Sequence, residues 1–128
     1  MKESANVAAN SSPAINAGVR VGHVHLKVAD LERALKFYNG VLGFEVMQRW
    51  GNQAAFLSAG GYHHHIGLNT WESAGGRPPA PGTTGLYHLA IVYPTRAALA
   101  DALRRLIAAG IEFGWGGRSW GERSPVFA

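Results

Sequence analysis

Apolar and polar residues alternate along residues 19–28 and then give way to a helical spacing. The alternation predicts a strand with His23, His25 and Lys27 on one face and Val24 and Leu26 on the other. We expect the apolar face to join a core and the histidine face to be polar and able to bind a ligand.

A capped helix follows this strand. Asp30 offers its carboxylate to the free N–H groups of the first turn, and Gly43 ends the helix in a left-handed cap. The apolar stripe recurs every three or four residues and comprises Leu31, Ala34, Leu35, Tyr38 and Leu42. Further strands are predicted at residues 44–47, 54–58 and 62–68, the last two as a hairpin, so the first module has the order βαβββ.

The same order starts again in the second half of the chain. A strand at residues 86–93 precedes a helix capped by Thr95, and a short strand follows at residues 111–113. His88 occupies the position in this module that His23 occupies in the first. The pattern fails after residue 113, so we expect the second module to lack its last hairpin.

These patterns predict an α+β protein with five segments. They are a flexible lead-in at 1–18, a first βαβββ module at 19–71, a proline- and glycine-rich loop at 72–85, the start of a second module at 86–113 and an atypical tail at 114–128.

Composition narrows the function classes. The net charge of +4 is spread along the chain without a basic run among aromatic residues, which argues against a nucleic-acid partner. No apolar stretch approaches the roughly 20 residues of a membrane-spanning helix, and no signal peptide is recognised, so we expect a cytoplasmic protein without a membrane partner. The chain has no cysteine, so a bound metal must be held by histidine and carboxylate groups.

All six histidines fall in predicted strands: His23, His25, His63, His64, His65 and His88. A single strand histidine is usually a hydrogen-bonded structural residue, but internal symmetry would bring His23 and His88 together. Two imidazoles and one carboxylate suit Fe(II), Mn(II) or Zn(II) and leave positions open for a substrate and dioxygen.

The carboxylate of such a site is harder to find. Glu45 and Glu112 are of the right type, but their strand neighbours face the core, so we expect both to be exposed. Because neighbours in a strand alternate sides, His63, His64 and His65 should not all point inward.

Three strings occur in order: G-H-V-H-L-K-V-A-D-L-E-R-A-L-K-F-Y, H-H-H-I-G-L-N-T-W and G-L-Y-H-L-A-I. Together they resemble the vicinal oxygen chelate superfamily of glyoxalases, bleomycin resistance proteins and extradiol dioxygenases, and they look most like relatives of catechol 2,3-dioxygenase. The resemblance covers residues 19–113. It implies paired βαβββ modules that form a cup-shaped mixed sheet around a metal, the second module being incomplete here.

The resemblance also implies a function. An extradiol enzyme cleaves a small catecholic ring with Fe(II) and O2. The family's motif assigns His23 and His88 as metal ligands. His64, the second histidine of an H-H-x-I motif with His63 before it, takes and returns a catechol proton. We expect a homo-oligomer, a dimer.

One departure from the family pattern argues against a related function, and one alternative function remains. Gly67 stands where the glyoxalase branch has a glutamate, which argues against lactoylglutathione lyase. A metal-free relative that binds an antibiotic is the alternative, with Trp50, Trp71 and Tyr87 as aromatic walls.

The family's third ligand, a glutamate, is expected on a last strand that this chain does not reach. The family pattern before that strand resembles D-H-G-V-S-E-A-L-Y-L-R. Codons exist by which residues 114–128, shifted by one nucleotide, spell A-G-A-D-D-H-G-V-S-E-A-L-Y-L and the start of an arginine codon. We therefore hypothesise an out-of-frame tail and an inactive truncated product as a third reading, which sequencing the gene tests.

Overall fold

The computed structural model describes residues 12–112. Its elements in chain order are β1 (Val24–Lys27), α1 (Leu31–Leu35) continued by a π-helical segment (Lys36–Val41), β2 (Glu45–Trp50), β3 (Ala54–Ser58), β4 (Ile66–Asn69) and α2 (Arg96–Ala108). The hypothetical out-of-frame tail, residue 113 and residues 1–11 of the predicted lead-in lie outside the described part.

The four strands form one mixed sheet in the order β1-β4-β3-β2. β1 runs parallel to β4, whereas β4 and β2 are both antiparallel to β3. The α+β class and the βαβββ order of the first module are therefore as predicted. The division into two modules at residues 72–85 stays a prediction.

α1 packs on one face of this sheet because its sequence is amphipathic and capped. Asp30 Oδ1 accepts a hydrogen bond from the Arg33 N–H at 3.0 Å, as the helix start predicts. The core cluster it helps to form comprises Leu31, Leu35, Tyr38, Ala55, Leu57, Ile66 and Leu68. The face of β1 with alternate apolar residues also joins this core, which leaves the histidine face outside.

The helix widens before it ends. The Leu42 N–H donates to the Phe37 carbonyl at 3.0 Å, a bond five residues back along the chain that is typical of a π turn. Gly43 then takes a positive φ of 85° and allows the chain to turn into β2, as its predicted role as a cap requires.

β2 has one extra residue, relative to its partner strand β3, between two of the paired positions. Val46 pairs with Leu57 and Gln48 with Phe56, so Met47 has no partner in β3. This shift of register is a β-bulge. β2 lies at the edge of the sheet, and all its residues are exposed.

Three predicted strand bounds differ from the structure. β1 begins at Val24 and β4 at Ile66, both four or more residues later than predicted, and β2 extends to Trp50. Residues 62–65 instead form a loop. Two glycines with positive φ, Gly60 and Gly61, turn the chain there, and pairing resumes only where Ile66 meets β1 and β3.

The second module departs from its predicted elements more than the first module does. α2 and its Thr95 cap are confirmed, but residues 86–93 and 111–112 join no strand ladder. Leu89 is partly buried and packs against the core cluster although its segment forms no strand. Among the described residues, no helix is long and apolar enough to cross a bilayer.

Candidate metal centre

Three histidines meet at one end of the sheet. Ring nitrogen atoms of His23, His63 and His64 all lie within 4.8 Å of one another. His64 is half-buried, and the other two are exposed.

The sheet topology explains this meeting. His23 immediately precedes β1, while His63 and His64 lie in the loop that leads into β4. Because β1 and β4 are parallel and Val24 pairs with Ile66, the chain segments before the two strands arrive at the same edge of the sheet. The loop is held there by backbone bonds from the Val24 N–H to the His65 carbonyl (3.0 Å) and from the His65 N–H to the Leu57 carbonyl (2.8 Å).

As predicted, His63, His64 and His65 do not all point to the same side. The physical reason is not the predicted one. Strand alternation does not apply because residues 63–65 lie in a loop, so His63 and His64 both turn towards His23. His65 turns away, with its Nδ1 atom 3.2 Å from Ser58 Oγ and 3.3 Å from the Ala59 N–H. The place of His63 beside His23 was not predicted, because residues 62–68 read as one strand in which neighbours alternate, whereas residues 62–65 form a loop.

His64 lies close to the rings of several neighbouring residues. Its Nδ1 atom is 3.0 Å from Nδ1 of His63, and its Nε2 atom is 3.3 Å from Nε2 of His25. Its ring centroid is 4.3 Å from that of His23 and 5.0 Å from that of Phe56. Three other imidazoles, those of His23, His25 and His63, and the ring of Phe56 thus lie close to the His64 ring.

Partial burial, and then the neighbouring charges of His23, His63 and His25, lower the pKa of His64 below its usual value. The imidazole is therefore mainly neutral at pH 7 and can accept a proton or a metal ion.

Gly67 makes room for His25. The two residues are opposite each other in the parallel pair of β1 and β4. A Cβ atom at position 67 would lie 2.8 Å from the His25 ring, closer than real contacts allow. A glutamate at this position would therefore exclude the observed His25 ring, which gives a physical reason for the departure from the glyoxalase pattern.

The other predicted site residues lie elsewhere. His88 is exposed, with its ring 5.4 Å from that of Tyr87, and is not a member of the histidine group. Glu45 and Glu112 are exposed, as expected. Within residues 12–112, the group therefore offers three imidazoles and no carboxylate, a donor set that suits borderline ions such as Zn(II), Fe(II), Ni(II) and Cu(II).

An apolar cavity of about 590 Å³ lies between the first module and the start of the second. Val24, Phe44 and Ile66 contribute to one wall, and Leu89 and Tyr93 to the other. Burial raises the pKa of Tyr93, so its hydroxyl stays protonated and available as a donor. The predicted aromatic walls Trp50, Trp71 and Tyr87 do not line this cavity.

The mixed sheet, the βαβββ order and the histidine cluster define a class of protein, and sequence comparison agrees with it. The profile of the Glyoxalase/Bleomycin resistance protein/Dioxygenase superfamily matches residues 20–118. The chain belongs to this superfamily, also called the vicinal oxygen chelate superfamily.

Particular relatives refine the picture. Over 107 residues the chain is 39% identical to the catechol-2,3-dioxygenase of Bacillus subtilis (strain 168), a match that covers 83% of this chain and 38% of the relative. Over 94 residues it is 33% identical to biphenyl-2,3-diol 1,2-dioxygenase 3 of Rhodococcus globerulus, covering 73% and 48%. The chain thus spans less than half the length of either curated relative.

A solved structure shares the fold. The lactoylglutathione lyase of Agrobacterium tumefaciens superposes with a TM-score of 0.55 at 20% identity, covering 76% of this chain and 75% of that chain. At this identity the likeness shows the fold alone.

Proposed function

We propose that this protein performs extradiol-type ring cleavage of a small catecholic substrate with Fe(II) and O2. The observation that carries the proposal is the position of His64, a half-buried imidazole with a lowered pKa beside His23 and Phe56. The names of the two dioxygenase relatives support the substrate class and imply a metal and O2.

In this proposal His23 and His88 hold the metal, because the repeat and the family motif place them at equivalent positions. Bound Fe(II) would supply a Lewis acid at which catechol and dioxygen are brought together. The proposal requires the segment carrying His88 to approach His23, since His88 lies outside the histidine group described above.

His64 moves the proton. Its neutral imidazole accepts the proton of a catechol hydroxyl and returns it as the ring opens. His25, 3.3 Å away at Nε2, positions the His64 ring. The adjoining Phe56 ring limits water on that side, so the proton passes to the imidazole rather than to solvent.

Anaerobic loading with Fe(II), followed by addition of catechol and air, tests this function through the yellow ring-opened product. His64→Ala should lower kcat, expressed per bound iron, by about 100-fold or more, since general acid–base groups contribute that much. His65→Ala is the matched control, because this neighbouring imidazole turns away from the cluster. Iron uptake without turnover by the unaltered protein would contradict the proposal.

A second candidate function, binding of an apolar small molecule without turnover, is favoured by the cavity of about 590 Å³. Its volume is in the range of ligand pockets, and most of its lining residues are apolar. Titration with an apolar fluorescent probe tests this function. Saturable binding that chelators do not affect, and that Leu89→Arg abolishes, would support it. Probe binding that requires metal would exclude it.

A further inference from the structure

We propose that His23, His63 and His64 form a self-contained site for a borderline divalent cation such as Zn(II), built without any ligand from the second module. The proposal does not rest on ring cleavage, and it assigns His63, which the ring-cleavage ligand set does not use. Its basis is the arrangement of the ring nitrogens.

The ring nitrogens of the three histidines are close enough to bind one ion. Nδ1 of His63 and Nδ1 of His64 are 3.0 Å apart, and all three rings offer a nitrogen within 4.8 Å of the others. In tetrahedral zinc sites with Zn–N bonds of about 2.0–2.1 Å, neighbouring donor atoms are separated by about 3.3 Å. Small side-chain rotations therefore suffice to bring the three nitrogens to one ion.

The contact with His25 favours the tautomer of His64 in which Nδ1 is free to bind an ion. Ligand histidines usually donate their other ring N–H to a neighbouring group, which fixes the ring and the free nitrogen. Nε2 of His64 is 3.3 Å from Nε2 of His25 and can donate to it, which leaves the Nδ1 lone pair facing His63. The His25 ring reaches this place only because position 67 is a glycine.

The backbone that carries the three histidines is held in place by the sheet. The loop that carries His63 and His64 is tied to β1 by the Val24 N–H and to β3 through the His65 N–H, and His23 directly precedes β1. The backbone beneath the three ligands is thus held by the sheet, and only the side chains need to adjust. Three imidazoles without thiolate or carboxylate select Zn(II), Ni(II) or Cu(II) over Mg(II) or Ca(II).

Occupation of this site and proton transfer by His64 exclude each other. An imidazole nitrogen bound to an ion cannot accept a proton, so Zn(II) at the three-histidine site would inhibit the proposed ring cleavage. The site would then act as a zinc-sensitive inhibitory site within the first module.

Zn(II) titration of the full chain, by calorimetry and by competition with a chromophoric chelator, tests the site. His63→Ala should weaken Zn(II) binding by about tenfold or more, and His25→Ala by about tenfold, the range in which outer partners act. His65→Ala, the neighbouring control, should leave affinity unchanged. Wild-type affinity in His63→Ala would overturn the proposal.

His88→Ala separates this inference from the proposed function. Retained Zn(II) affinity in that variant supports the three-histidine site, whereas a loss equal to that of His63→Ala in a chain of unchanged thermal stability overturns its self-contained nature. Visible absorption of bound Co(II) gives a second readout, since three nitrogen ligands in a tetrahedral field produce bands that His63→Ala should weaken. Both readouts stand whether or not the protein turns over catechol.

Discussion

At the scale of single residues, the side of the sheet on which a group lies was readable from the sequence. Strict alternation in β1 correctly placed His23, His25 and Lys27 outside the core. Lys27 there pairs with Glu72, and both side chains are exposed, so this ion pair contributes little to stability. The approach of both His63 and His64 to His23 was not readable, because it depends on where β4 begins.

Gly67→Ala tests the space for His25. The added Cβ would meet the ring at 2.8 Å, so the imidazole must swing away and lose its contact with His64. The ring is the mobile end of an exposed side chain, so we expect the free energy of unfolding to change by less than about 1 kcal/mol. Histidine side-chain NMR signals should shift for both residues.

Gly85→Ala is the control for that change, since a Cβ there has open space around it. Unchanged His25 and His64 signals in Gly67→Ala would contradict the packing described above.

Tyr38→Phe tests the effect of burial on a phenol. Burial raises the pKa of Tyr38 in the folded protein above the usual value of about 10. The folded state therefore holds this proton more tightly, and the resulting stability is present below pH 10 and is lost as the pH rises through the folded pKa. Melting temperatures from pH 8 to 11 should fall more steeply for the unaltered protein than for Tyr38→Phe; parallel curves would contradict this.

At the scale of elements, helix starts were predictable because capping is local. The Asp30 and Thr95 side chains both accept a hydrogen bond from the N–H three residues ahead, at 3.0 and 3.1 Å. Strand limits were less predictable because pairing is not local. Residues 62–65 and 86–93 read as strands, yet hydrogen-bond partners for them depend on the rest of the sheet.

Thr95→Ala removes the cap of α2. The helix would lose the bond from the Ala98 N–H to Thr95 Oγ1, with a cost of about 1 kcal/mol. Amide hydrogen exchange in the first turn of α2 should accelerate by about fivefold, the factor that corresponds to that energy. Thr95→Ser keeps the hydroxyl and should exchange at close to the original rate; equal acceleration in both variants would exclude a role for the cap.

At the scale of the whole molecule, the described core belongs mainly to the first module. Its fully buried side chains are in β3 and β4, and α2 buries only Ala102 and Leu106. Family membership was predictable because three motifs lie in the right order. The cavity was not, since it depends on where residues 89–94, which join no strand, lie in the folded chain.

Leu57→Ala tests this core. The side chain is fully buried, so the substitution should lower the free energy of unfolding by about 2–5 kcal/mol through lost burial and the space left behind. Urea denaturation measures the loss. Met47→Ala, on the exposed strand beside it, is expected to change stability by no more than about 0.5 kcal/mol. Similar losses in both variants would place the core elsewhere.

The extra residue in β2 makes the edge of the described sheet irregular. Val46, Met47 and Trp50 are exposed on an outer strand, a combination that invites a second chain to add along it. The bulge at Met47 bends and twists that strand and interrupts its row of free backbone groups. An irregular edge disfavours regular pairing with the strand of a second chain, so we expect this single extra residue to hinder strand addition along β2.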